Sequence, residues 1–233
     1  MENNTILENN EVTLSGFVAE VPEYDHEVFG EKFYKFTVEA VRMSGFSDYV
    51  PVIISERLID LAMIKFDSDN HLRTYIKLTG QFRSHNLYDA ENNNKKRLIL
   101  SVFVRDVLDL QVFSDDSDQE IPTENDLNKI TLHGFICKLP KYRKTPLGRE
   151  ITDGLIAVNR PYGKSDYLPF ITWGRNARYA STLELGDEIV IKGRIQSREY
   201  TKLDDHGNSK KKIAYEVSAS KISLIAVSDS INE

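Results

Sequence analysis

Val12, Leu14, Gly16 and Val18 alternate with Thr13, Ser15 and Phe17, and the same two-residue period returns at Ile130, Leu132, Gly134 and Ile136. That spacing turns one side of an extended chain toward a core and leaves the other partly wet, which predicts a strand at each place. β-Branched runs from Val50 to Ile54 and from Ile189 to Ile191 predict further strands, and each half of the chain accommodates five. Between the third and fourth strands Leu58, Leu61, Ala62, Lys65 and Phe66 mark one helical face; the counterpart is shorter, with Ala177, Ala180 and Leu183 before Gly186 stops it. Glycines inside strand patterns, at Gly16, Gly80, Gly134 and Gly193, predict sharp bends or bulges, as a sheet of few strands needs in order to curl closed. A polar excursion separates the last two strands of each half, Tyr88 to Arg97 and Tyr200 to Lys212. In the second, Asp205-His206-Gly207-Asn208 has turn chemistry and a basic cluster sits on the returning arm, so a hairpin finger is expected.

The two halves are copies. Val12-Thr13-Leu14-Ser15-Gly16-Phe17-Val18 reappears 118 residues on as Ile130-Thr131-Leu132-His133-Gly134-Phe135-Ile136, and from 12 to 55 the offset holds without a gap, with 14 of 44 positions identical. After a shorter helical region, Leu78-Thr79-Gly80-Gln81-Phe82-Arg83-Ser84 is answered by Ile191-Lys192-Gly193-Arg194-Ile195-Gln196-Ser197. Five strands, one short helix before the fourth and a long final hairpin describe the OB-fold, so the expected class is all-β: two tandem OB-fold barrels joined by an acidic linker. The expected boundaries are 11–110, a linker at 111–127 whose acids gather between Ser114 and Asp126, and 128–227.

Net charge alters the picture only when divided. The formal total is −6, yet residues 11–110 hold 12 Lys/Arg against 16 Asp/Glu, while 129–227 hold 18 against 10. The second copy is the basic one. Apolar residues make up 40% of the chain without any run long enough for a membrane span, and the polar N-terminus lacks a signal-peptide pattern, so a cytoplasmic protein is expected, nucleoid-associated if it binds DNA. A single cysteine, Cys137, excludes an intramolecular disulfide and a Cys-rich zinc site. There is no phosphate-binding glycine string, no His-Glu-x-x-His helix and no nucleophile elbow; no enzyme, metal or cofactor is expected.

The second copy resembles the bacterial single-stranded DNA-binding protein family. The resemblance runs from Asn128-Lys129-Ile130-Thr131-Leu132-His133-Gly134 through Pro140, Arg143, Thr145 and Gly148 to Ala157-Val158-Asn159-Arg160, Ile171-Thr172-Trp173-Gly174-Arg175 and Leu185-Gly186-Asp187. It ends with Gly193-Arg194-Ile195-Gln196-Ser197-Arg198 and Tyr215-Glu216-Val217. The resemblance implies a protein that coats single-stranded DNA in replication, repair and recombination, with four OB-folds around a shared core, hence a homodimer of this two-copy chain and contacts to replication proteins. The acidic Pro-Phe tail of that family is not found at Ser228 to Glu233.

A single strand offers a charged backbone and unpaired base faces, so a general binder needs cations interleaved with aromatic platforms. Tyr162, Tyr167, Trp173 and Tyr200 fall where the resembling family places stacking aromatics, among Arg143, Lys144, Arg160, Lys164, Arg175, Arg194, Arg198, Lys202, Lys210, Lys211 and Lys212. The competing account of any one aromatic is a core or cross-strand position. In the first copy Ser44, Ser55 and Leu87 replace three of the four platforms, leaving Tyr49, and Asp25, His26, Glu27 and Glu31 replace Arg143, Lys144, Thr145 and Arg149. Weak or no DNA binding by the first copy is therefore expected, with assembly as its use. Two alternatives remain: a protein-interaction module of a primosome or recombination complex, and RNA binding through the same surface.

Overall fold

The computed structural model describes residues 9–62, 72–89, 95–114, 127–203 and 209–227. The helical positions Lys65 and Phe66, most of the linker, the finger tip and the C-terminal residues lie outside them. By contacts the chain resolves into two units, one of residues 12–129 with 195–216, the other of residues 1–11, 130–194 and 217–233.

The first barrel is built from β1 (Asn10–Val18), β2 (Glu23–Val28), β3 (Glu31–Val41), β4 (Ser47–Ser55), α1 (Glu56–Leu61), β5 (Leu72–Asp89) and β6 (Lys95–Ser114). β1 pairs antiparallel with both β3 and β5, β3 with β4, β5 with β6, and β4 runs parallel to β6, which closes the ring. The expected single first strand is interrupted here, and β2 remains as a separate strand against β3. The second barrel repeats the circuit with β7 (Asn128–Lys144), β8 (Glu150–Arg160), β9 (Lys164–Trp173), α2 (Arg175–Ala180), β10 (Glu188–Leu203) and β11 (Ser209–Ala226). Its β7 stays continuous through bulges between Ile136 and Lys141, so the same chain segment is one strand instead of two. Both helices have six residues, with Ser55 Oγ accepting from Leu58 N–H at the start of α1.

The strand glycines occupy points of backbone contact. A Cβ on Gly16 would lie 2.0 Å from the Glu39 carbonyl oxygen, and one on Gly134 2.2 Å from that of Ala157, so the same close approach recurs at the same repeat position. Core positions match as well, and where they differ they compensate. In the first barrel Phe36 is paired with Val52 across β3 and β4; in the second, Gly154 is paired with Phe170 across β8 and β9. The large ring has crossed to the opposite strand, and a Cβ on Gly154 would meet the buried Phe170 ring at 2.2 Å. Gly154→Ala is expected to cost about 1–3 kcal/mol in urea unfolding through overpacking. The double change Gly154→Phe with Phe170→Val restores the arrangement of the first barrel and recovers most of that loss.

Candidate nucleic-acid interface

β9 alternates strictly at the start: Asp166, Leu168 and Phe170 are buried in the barrel, and Tyr167 and Trp173 stand on the other side. Tyr167 is 48% exposed and Trp173 41%, so neither ring is part of the core. Register extends each across the sheet. Trp173 is opposite Ile151, which is opposite Arg143; Tyr167 is opposite Ala157, which is opposite Phe135. Directly opposed residues share a face, so one face of β7, β8 and β9 carries the exposed Phe135, Tyr167, Trp173 and Arg143, with Ile151 buried between the last two. Phe135, 38% exposed, was not singled out from the sequence, although its alternation with Gly134 and Ile136 placed it on the wet side.

The cations of this unit differ in how they are held. Arg143 donates from Nε to Asp153 Oδ2 at 2.7 Å and from Nη2 to Oδ1 at 3.3 Å, a two-point contact that fixes the guanidinium. Lys144, Lys164 and Arg175 are exposed and Arg194 is half-buried. Arg160 and Lys164 are register partners at the mouth of the turn that carries Tyr162. Tyr162 is fully exposed at 99% and sits at φ 64°, a left-handed conformation rare for a bulky side chain, so the turn presents the ring at a cost in backbone strain. Arg160 donates to Asp166 Oδ1 at 2.7 Å, and that carboxylate is buried. This cation therefore also neutralises a charge in the barrel.

The remaining candidates lie on the β10–β11 hairpin and are counted with the other unit. Arg198 and Tyr200 share one side of β10 by alternation, and Tyr200 is 37% exposed. Arg198 Nε is 3.6 Å from Glu216 Oε1, and Lys211 Nζ is 3.6 Å from Glu199 Oε2. Lys212 is half-buried; the side chains of Lys202 and Lys210 lie outside the described residues.

The first barrel has the same rows with different contents. Phe17, Glu39 and Tyr49 are aligned as Phe135, Ala157 and Tyr167 are, but the middle position is a carboxylate. Glu39 Oε1 accepts from the Tyr49 hydroxyl at 3.1 Å and from Ser47 Oγ at 2.7 Å, and the first of these bonds holds the phenol above its ordinary pKa. The row matching Arg143, Ile151 and Trp173 is His26, Phe33 and Ser55, so the ring stands on β3, the counterpart of β8, instead of on β4, the counterpart of β9. There it is already stacked: His26 lies 4.8 Å from Phe33 at 10°, Phe33 is 5.4 Å from Phe103, and the Arg83 guanidinium sits 4.1 Å over the Phe103 ring. Much of the aromatic surface on this face is engaged within the barrel.

Among the described residues no helix is long and apolar enough to cross a membrane. Residues 127–225 match the family model described as the single-strand binding protein family. The single-stranded DNA-binding protein of Halalkalibacterium halodurans is 28% identical over 106 residues, a match covering 42% of this chain and 61% of that protein. Single-stranded DNA-binding protein A of Bacillus subtilis is 33% identical over 81 residues, covering 32% of this chain and 47% of its own length. The chain thus spans between 47% and 61% of these two curated relatives. The crystal structure of wild-type single-stranded DNA binding protein from Thermus aquaticus aligns with a TM-score of 0.66 at 18% identity, covering 93% of each chain. That likeness extends the shared fold over both barrels.

Proposed function

We propose that the chain binds single-stranded DNA without reading its sequence, mainly through the second barrel, whose residues 127–225 match the single-strand binding protein family model. The observation that carries this reading is the outer face of β7–β9, where Tyr167 and Trp173 are half exposed beside Arg143, while the matching face of the first barrel holds Glu39 at its centre and rings stacked on one another. Bases stack on the exposed rings, Tyr162 at the turn among them, and the cations of the same unit meet sugar and phosphate. The same reading extends to coating of single strands in replication, repair or recombination, by a homodimer that brings four OB-folds together. No base edge is specifically recognised in this account, so affinity falls with salt at a log–log slope of about −0.7 per phosphate neutralised.

The difference at the central row position provides the test. Ala157→Glu copies the first barrel into the second and puts a carboxylate where the strand lies; it is expected to weaken oligothymidylate binding by about tenfold or more at low salt. Glu39→Ala removes the corresponding charge from the first barrel and is expected to leave affinity unchanged or raise it. Wild-type affinity in the Ala157→Glu protein, read by fluorescence anisotropy of a labelled oligonucleotide, would place the strand elsewhere.

A further inference from the structure

The first hairpin of each barrel is the same object with its charge reversed. Residues 20–35 contain five acids and two bases; the matching residues 138–153 contain five bases and two acids. The reversals fall on equivalent positions, Glu23 for Lys141, Asp25 for Arg143 and Glu31 for Arg149, while the uncharged features are retained. Tyr24 answers Tyr142, both exposed, and the tips carry Phe29, at 106% exposure, and Leu147, at 84%. Among the described residues β2 pairs with β3 alone, and Lys141–Lys144 of β7 pair with β8 alone, so both are edge strands at this point.

An exposed edge with an apolar tip invites pairing with another chain, and charge decides which edge it accepts. Two acidic edges repel, as do two basic ones; an acidic and a basic edge attract. We propose that the acidic hairpin of the first barrel docks on the basic hairpin of the second barrel in another copy of this chain. The contact joins unlike surfaces, so each docked copy still offers a free edge and association continues beyond the basal oligomer unless a ring closes. The pairs are solvent-exposed and several of the charges already have local partners, Glu23 with Lys35 at 3.5 Å and Arg143 with Asp153 among them. The association is therefore weak and strongly screened by salt.

The test needs no DNA, so its failure leaves the DNA-binding reading standing. In sedimentation velocity, the weight-average mass of the wild-type chain is expected to rise with concentration at about 0.02 M salt and to return to the basal species at about 0.5 M, where charges are screened within a few ångströms. Glu23→Lys with Glu31→Lys makes both hairpins basic; Lys141→Glu with Arg149→Glu makes both acidic. Each variant alone is expected to stay at the basal mass at low salt, and an equimolar mixture of the two is expected to restore growth, a gain that misfolding cannot produce. A wild-type mass that ignores salt, growth that persists in either variant alone, or a mixture that stays at the basal mass would overturn the proposal. The second outcome assigns association to another surface, and the third fits pairing within one chain.

Discussion

Replacing Tyr167 and Trp173 together by alanine is expected to weaken oligothymidylate binding by at least about 30-fold while leaving the salt slope of binding unchanged. Each stacked base contributes roughly 1–3 kcal/mol, so two platforms together amount to about 2–6 kcal/mol if they act independently. The slope stays because no cation is removed and counterion release depends only on the phosphates neutralised. Both rings are about half exposed, so the thermal midpoint should shift little. Trp173→Phe keeps a ring face and should retain most of the affinity, whereas Arg143→Met should lower the slope as well. Trp173 is the sole tryptophan of the chain, so its quenching reports binding directly in the Tyr167→Ala protein; the double variant needs a labelled oligonucleotide. A double variant that binds within a factor of two of wild type would remove the outer face of β7–β9 from the interface.

The fold was legible in the sequence because its strongest signals are local or periodic. Alternation at Val12–Val18 and Ile130–Ile136 gives strands, and the strand glycines give the points where one backbone meets another. The 118-residue offset says that the two copies share one course of the backbone. The exposed sides of Tyr167 and Trp173 were also readable by alternation. Positions whose meaning depends on a cross-strand neighbour were less legible. The offset aligns Ser55 with Trp173 and counts a platform as lost; only register shows that Phe33, opposite Ser55, keeps a ring in that row. In the same way Ala157 against Glu39 is an unremarkable pair until both are seen between two aromatics. Arg160 illustrates a further limit. As a basic residue beside Tyr162 it reads as a phosphate contact, and the structure ties it in addition to buried Asp166. The clue was available: Arg42 and Asp48 persist at the matching positions in the copy that gave up most of its platforms, which points to a duty in the barrel.

That duty leads to the largest expected effect on stability. Asp48 is fully buried; Arg42 Nε donates to its Oδ2 at 2.7 Å, Arg42 Nη2 donates to Oδ1, and the Ser197 amide donates to Oδ1 at 3.2 Å. The carboxylate in turn holds the Arg42 guanidinium above its already high ordinary pKa, chiefly through the hydrogen bond. Removing one partner of a buried pair leaves the other charge without compensation, at about 3–5 kcal/mol, a large share of the 5–15 kcal/mol that keeps a typical domain folded. Asp48→Ala is expected to pay that cost and lower the urea midpoint by about 1 M or more. Asp166→Ala is expected to do the same through Arg160. Asp48→Asn keeps a neutral acceptor for the Ser197 amide and should fall between the extremes. The decisive variant changes both partners: Arg42→Met with Asp48→Leu removes the two charges together, and pairs treated this way are often neutral or stabilising. Recovery in that protein identifies the single-variant loss as an orphaned charge. If Asp48→Ala instead unfolds at the wild-type urea concentration, the pair contributes nothing to the barrel, and the persistence of arginine and aspartate in both copies needs another cause.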